Sequence, residues 1–199
     1  MFRCIEAKRE YQARWRRESN KKLKVEAIEQ YGGVCACCKE SLLGFLTLDH
    51  VIPTREGTDR VGGVLLYRRL KSAGWPLADE LRILCWNCNL GRDRNRGQCP
   101  HLGLFEPKDR NARRGLRLKV ETFQVYGNGT CQCCGEDNIG FLSLDHITPR
   151  GRGTKRPGGG LLYAELRRDG WPQKDELRVL CFNCNSGRQF NDGVCPHAG

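Results

Sequence analysis

Leu177-Arg-Val-Leu-Cys181-Phe-Asn-Cys184-Asn185 decides how this chain folds, because a short apolar strand runs directly into a Cys-x-x-Cys pair followed by Asn. Ninety-six positions earlier stands Leu81-Arg-Ile-Leu-Cys85-Trp-Asn-Cys88-Asn89, the same phrase with two conservative changes. Working outward, each phrase is preceded by another Cys-x-x-Cys pair, Cys35 with Cys38 and Cys131 with Cys134, and by Leu-Asp-His, ending at His50 and His146. Residues 35–101 align with 131–197 without insertion or deletion, and 39 of the 67 positions are identical. A match of that length reads as one folded unit duplicated, too few copies for a solenoid.

The 199 residues therefore divide into two small units, expected as a basic helical arm over 1–30, a first zinc domain over 31–106 and a second over 107–199. Units of this size bury little apolar surface, and with a hydrophobic content of 39% they need a staple. Thirteen cysteines, six per repeat plus Cys4, supply it. The N-terminal stretch has no apolar h-region and no later stretch suits a membrane span, so the cysteines are expected to be reduced metal ligands in a cytoplasmic protein.

The net charge is +11 and clustered: residues 1–24 hold nine Lys/Arg against three Glu, and residues 108–119 hold six against one Asp. Two Gly-rich loops add Arg55, Arg60, Arg150, Arg152, Lys155 and Arg156. Basic segments without a bulky apolar face point to a polyanion, nucleic acid rather than membrane.

The pattern predicts a helix over 5–31 and another over 116–126, each closed by Gly. Each repeat then reads as a cysteine knuckle, a strand (45–48 or 141–144), a basic loop, and a helix (65–73 or 161–169) stopped by Gly and Trp-Pro. A second strand (81–84 or 177–180) and a final short helix follow. The class is small α+β.

Two thiolates two residues apart grip one ion from a tight turn, and two such turns complete a tetrahedron. Cys35, Cys38, Cys85 and Cys88, and equally Cys131, Cys134, Cys181 and Cys184, should hold one structural zinc per repeat. The 46 residues between the pairs must fold back as a hairpin. That hairpin carries Asp49, His50 and Asn89, or Asp145, His146 and Asn185. Asp and Asn oxygens suit a hard ion such as Mg²⁺ or Mn²⁺, and His is a base near neutral pH. Cys99-Pro-His101 and Cys195-Pro-His197, with Cys37 or Cys133, offer three further ligands and no evident fourth, so packing and turn-capping are expected of them.

The order Cys-x-x-Cys, Leu-Asp-His-x-x-Pro, Leu-x-x-Leu-Cys-x-x-Cys-Asn, then Gly-Arg, resembles zinc-containing HNH endonucleases of the ββα-metal class, including relatives of phage recombination endonucleases. The resemblance implies two tandem ββα-metal domains, with His50 and His146 as general bases. It gives the catalytic divalent ion to Asp49 with Asn89 and to Asp145 with Asn185. Glu80 and Glu176 stand where that family usually has Asn. Arg92 and Arg188, one turn past the metal Asn, read either as phosphate grips or as solvated arginines. The Gly-Gly-x-Leu-Leu-Tyr and Trp-Pro segment reads equally as a substrate-binding insertion or as packing.

The expected function is metal-dependent DNA cleavage, nicking duplex or branched DNA in pairs, to 5′-phosphate and 3′-hydroxyl ends. The alternative is a non-catalytic zinc-stapled module binding DNA or RNA. The partner in either case is nucleic acid and no membrane, and a monomer with pseudo-twofold symmetry suits the repeat, though a dimer fits it too.

Overall fold

The computed structural model describes residues 2–51, 61–76, 79–104, 106–148, 159–191 and 193–198. Basic-loop residues Arg55, Arg60, Arg150, Arg152, Lys155 and Arg156 lie outside them. Among the described residues the architecture is small α+β with two two-stranded sheets. Helix α1 spans Phe2–Gln30, strand β1 Leu46–His50, α2 Gly63–Ser72, β2 Leu81–Cys85 and α3 Trp86–Arg94. They are followed by α4 Arg110–Gly127, β3 Leu142–His146, α5 Gly160–Arg168, β4 Leu177–Cys181 and α6 Phe182–Gln189. By compactness the chain forms two units, Met1–Leu84 and Cys85–Gly199.

In the first unit β1 pairs with β2. The C-terminal part of α1 buries Ala27 and Ile28, and Lys71 on α2 pairs with Glu26 while Arg68 donates to Asn20. Residues 6–18 of α1 stay exposed, and Tyr11 and Trp15 lie among its basic residues. Tyr31, just past the helix, donates to the Pro76 carbonyl and meets the edge of Trp75.

In the second unit β3 and β4 are antiparallel, with Leu142 opposite Cys181, Asp145 opposite Arg178 and His146 opposite Leu177. The core under this hairpin joins Phe123 and Tyr126 of α4, Tyr163 and Leu166 of α5, and Leu142, Leu177, Val179 and Leu180 of the strands. The cysteine sulfurs of Cys131, Cys181 and Cys184 belong to the same core. Helix α4 begins earlier than its apolar stripe suggests, because Asp109 caps it by accepting from the Ala112 N–H. The Trp-Pro segment packs: Trp171 adopts φ 61°, costly for a bulky residue, and is held there by its N–H to Leu166 O (2.8 Å) and by the edge of Tyr126. Tyr163 and Leu166 are buried beside the half-buried Trp171, whereas Leu161 is exposed.

Helices α3 and α6 meet reciprocally. The Asn87 N–H donates to the Asn183 side-chain oxygen and the Asn183 N–H to that of Asn87, each at 2.8 Å, with both residues buried. Trp86 stacks on Phe190, and its counterpart Phe182 lies under the Arg94 guanidinium, 4.4 Å from the ring centre. Residues 86 and 190 correspond to 182 and 94 under the 96-residue offset, so the two helices cross about a local twofold axis.

Two predictions arise from this packing. A Cβ on Gly127 would lie 2.6 Å from Val179 Cβ. Gly127→Ala should therefore lose about 1–3 kcal/mol to overpacking, outweighing the gain of up to about 1 kcal/mol that Ala brings to a helix. Urea unfolding at equilibrium reads the sign. Lys119 on α4 donates to the Ile139 carbonyl at 2.6 Å, and burial, helped by the nearby Arg94 charge, lowers its pKa to about 8 from an ordinary 10.5. Below pH 8 both folded and unfolded chains hold that proton. Between pH 8 and 10.5 only the unfolded chain does, so stability rises with pH, by at most about 3 kcal/mol from this residue. Lys24, also lowered to about 8 by burial, adds in the same direction. Lys119→Met should remove its share of the rise, measured as urea midpoints at pH 8 and pH 10.

Candidate functional site

Local sequence builds the metal knuckles. In the first knuckle of the second repeat, Cys131 receives the Gly135 N–H on its carbonyl and donates its own N–H to Glu136 O, so the chain between the cysteines turns tightly. Gln132 N–H reaches Val179 O and ties the turn to β4. In the second knuckle Cys181 caps α6, its sulfur accepting the Cys184 N–H at 3.4 Å, which puts both sulfurs at the positive end of a helix.

These turns gather Cys131, Cys134, Cys181 and Cys184 so that every pair of ligand atoms lies within 4.8 Å. Four sulfurs around zinc at the usual bond length stand about 3.8 Å apart. Cys134 and Cys181 are 3.7 Å apart. Four thiols so placed do not ionise independently. Cys131 is held far below the ordinary thiol range by donation from Cys181 and Cys184, which are pushed up in turn. A divalent cation removes that conflict by compensating several thiolates together, so spacing and charge both fit zinc.

The Cys-Pro-His tails, for which packing and turn-capping were expected, also lie where they could hold a metal ion. Cys133, Cys195 and His197 gather around Cys184, and Cys99 and His101 lie beside Cys88. The fourth ligand was overlooked because Cys88 and Cys184 had each been assigned to a tetrad already.

Above the tetrad, the strand alternation places Ser143 and Asp145 on one face of β3. Helix α6 lies along that face: Asn185 donates to Ser143 Oγ at 3.1 Å, and Arg188, three residues on, donates to Asp145 at 2.7 Å. Arg178, opposite Asp145 in the ladder, donates to the same carboxylate at 3.1 Å. Burial pushes the Asp145 pKa up, opposed by Arg178. Arg188 thus directs its guanidinium inward to Asp145. In the first unit Asp49 accepts from Arg82 at 3.1 Å, the equivalent cross-strand pair. Arg82 and Arg178 were missed as site residues, although both lie in the identical part of the repeat.

His146 ends β3 with its Nε2 turned away from solvent. The Ile147 N–H donates to the carbonyl of Glu176, which extends the pairing past His146 and fixes its backbone. Asp145 and Asn185 offer oxygen donors suited to a hard divalent ion, with Arg188 as the competing positive group. Among the described residues no helix is long and apolar enough to cross a membrane. No family model, curated protein or solved structure matches the chain.

Proposed function

We propose that the chain is a metal-dependent DNA endonuclease of the HNH, ββα-metal kind, built from two duplicated zinc-stapled domains behind a basic helical arm. The observation carrying this reading is the placement of Asp145, Asn185 and Arg188 on one hairpin face above the cysteine tetrad, with His146 next in sequence. Asp145 and Asn185, like Asp49 and Asn89, are the residues that would hold Mg²⁺ or Mn²⁺. Such an ion supplies charge stabilisation for the phosphoryl oxygens and the departing 3′ oxygen. His146 and His50 act as bases on the attacking water. Arg188 would move from the Asp145 carboxylate to phosphate when DNA arrives, since a guanidinium binds both with the same planar fork, and Arg92 is its counterpart in the sequence of the first repeat. The exposed basic stretch of α1, with Tyr11 and Trp15, supplies phosphate and base contacts.

One observation favours a second reading, a zinc-stapled nucleic-acid-binding module without catalysis. Asp145 is engaged by two arginines, and His146 keeps Nε2 inside. Incubating the native protein with supercoiled plasmid, with and without Mg²⁺ or Mn²⁺, separates the two. Ion-dependent nicking or linearisation is expected. Retention of intact plasmid, and of intact branched DNA and RNA, in complexes visible by gel shift would sink the nuclease reading and leave the binding module.

A further inference from the structure

The two ligand groups of the second repeat are not alternatives separated in space; they share a sulfur. Cys184 belongs to the tetrad with Cys131, Cys134 and Cys181, and equally to the group of Cys133, Cys195 and His197. The His197 Nδ1 atom lies 3.5 Å from Cys184 Sγ and 3.7 Å from Cys195 Sγ. Zinc with one imidazole nitrogen and thiolate sulfurs at ordinary bond lengths puts nitrogen and sulfur about 3.6 Å apart. In the first repeat the same atoms repeat the spacing, His101 Nδ1 standing 3.5 Å from Cys88 Sγ and 3.3 Å from Cys99 Sγ. A packing or capping role requires neither Nδ1 facing two sulfurs nor the same triangle twice.

We infer that the second repeat binds two zinc ions in one cluster, with Cys184 bridging them as a shared thiolate. The first ion takes Cys131, Cys134 and Cys181 besides the bridge, and the second takes Cys133, Cys195 and His197. All six cysteines of the repeat and the histidine of its tail then have a ligand role, and each ion is four-coordinate with no open position, as structural zinc requires. A thiolate has more than one lone pair and so can serve two ions. Burial of Cys184 at 1% exposure protects the bridge from solvent, while Cys133 and His197 on the rim are exposed. The second ion is therefore the one open to exchange. It also ties the chain after α6 back to the first knuckle through Cys195 and His197, a link the tetrad alone does not make. The assignment concerns the staple and stands independently of any nuclease activity.

Elemental analysis of the full-length protein, purified reduced and without chelator, tests the inference directly. More than two zinc ions per chain are expected, and two per chain would overturn it. His197→Ala should hold one fewer than the native chain. Should that variant fail to fold, the native protein still decides: after exchange to ¹¹³Cd, its NMR spectrum should show a pair of cadmium resonances split by coupling to each other through the shared sulfur. Resonances without mutual splitting would exclude the bridge even at a stoichiometry above two.

Discussion

Stripping the metal should unfold the cysteine-rich parts of this protein rather than loosen them. Structural zinc contributes roughly 10–16 kcal/mol in apparent binding free energy, against a total stability of about 5–15 kcal/mol for an ordinary domain. Here the ligands are also core residues: Cys131, Cys181 and Cys184 pack among Phe123, Leu142, Val179 and Leu180. Without a cation the four sulfurs retain their mutual conflict, one thiolate held low by thiols that are themselves pushed up. A high-affinity chelator added to the native protein should abolish the cooperative thermal transition and the near-ultraviolet circular dichroism, and added zinc should restore both. Cys184→Ser should reproduce the loss in the second unit more completely than Cys134→Ser, because Cys184 serves both ligand groups and is buried where Cys134 is exposed. Retention of a cooperative transition by the metal-free protein would show that the apolar core suffices.

The second large effect concerns His50 and His146. A positioned general base contributes roughly 10²–10⁴-fold to rate. If each repeat cuts one strand, His50→Ala and His146→Ala should each convert a linearising enzyme into one that only nicks, and the double variant should fall by at least about 10²-fold in total cleavage. Plasmid topology on a gel, scored against time, reads this directly. His146→Gln guards against a purely structural loss, since it keeps much of the side-chain volume at a half-buried position. A double variant cutting within a few-fold of the native protein would remove the histidines from the chemistry. The zinc content of every variant should stay at the native value, because neither histidine belongs to a cysteine group.

The hairpins and helices were legible in the sequence because their signals are local: alternating Leu177 and Val179, Gly170 before Trp171-Pro172, and Cys-x-x-Cys spacing that has few other uses. The ligand role of the Cys-Pro-His tails was not legible while each cysteine was counted once; sharing a sulfur is a property of position in space. Arg178 could have been found, since an antiparallel pairing that sets His146 opposite Leu177 necessarily sets Asp145 opposite Arg178. The Asn87 and Asn183 exchange was beyond the sequence, because two identical Asn positions reveal nothing of whether they meet.

That exchange makes the face shared by α3 and α6 complementary to itself. The contacts described there join a position on one helix to the counterpart of its own partner on the other, so one repeat offers what a second copy of the same repeat needs. A single repeat produced alone would be expected to seek that surface in another molecule and to pair only as concentration allows. In the intact chain the covalent connection fixes the local concentration of one helix around the other, so their pairing does not weaken on dilution. What could be an encounter between two molecules is here an internal contact.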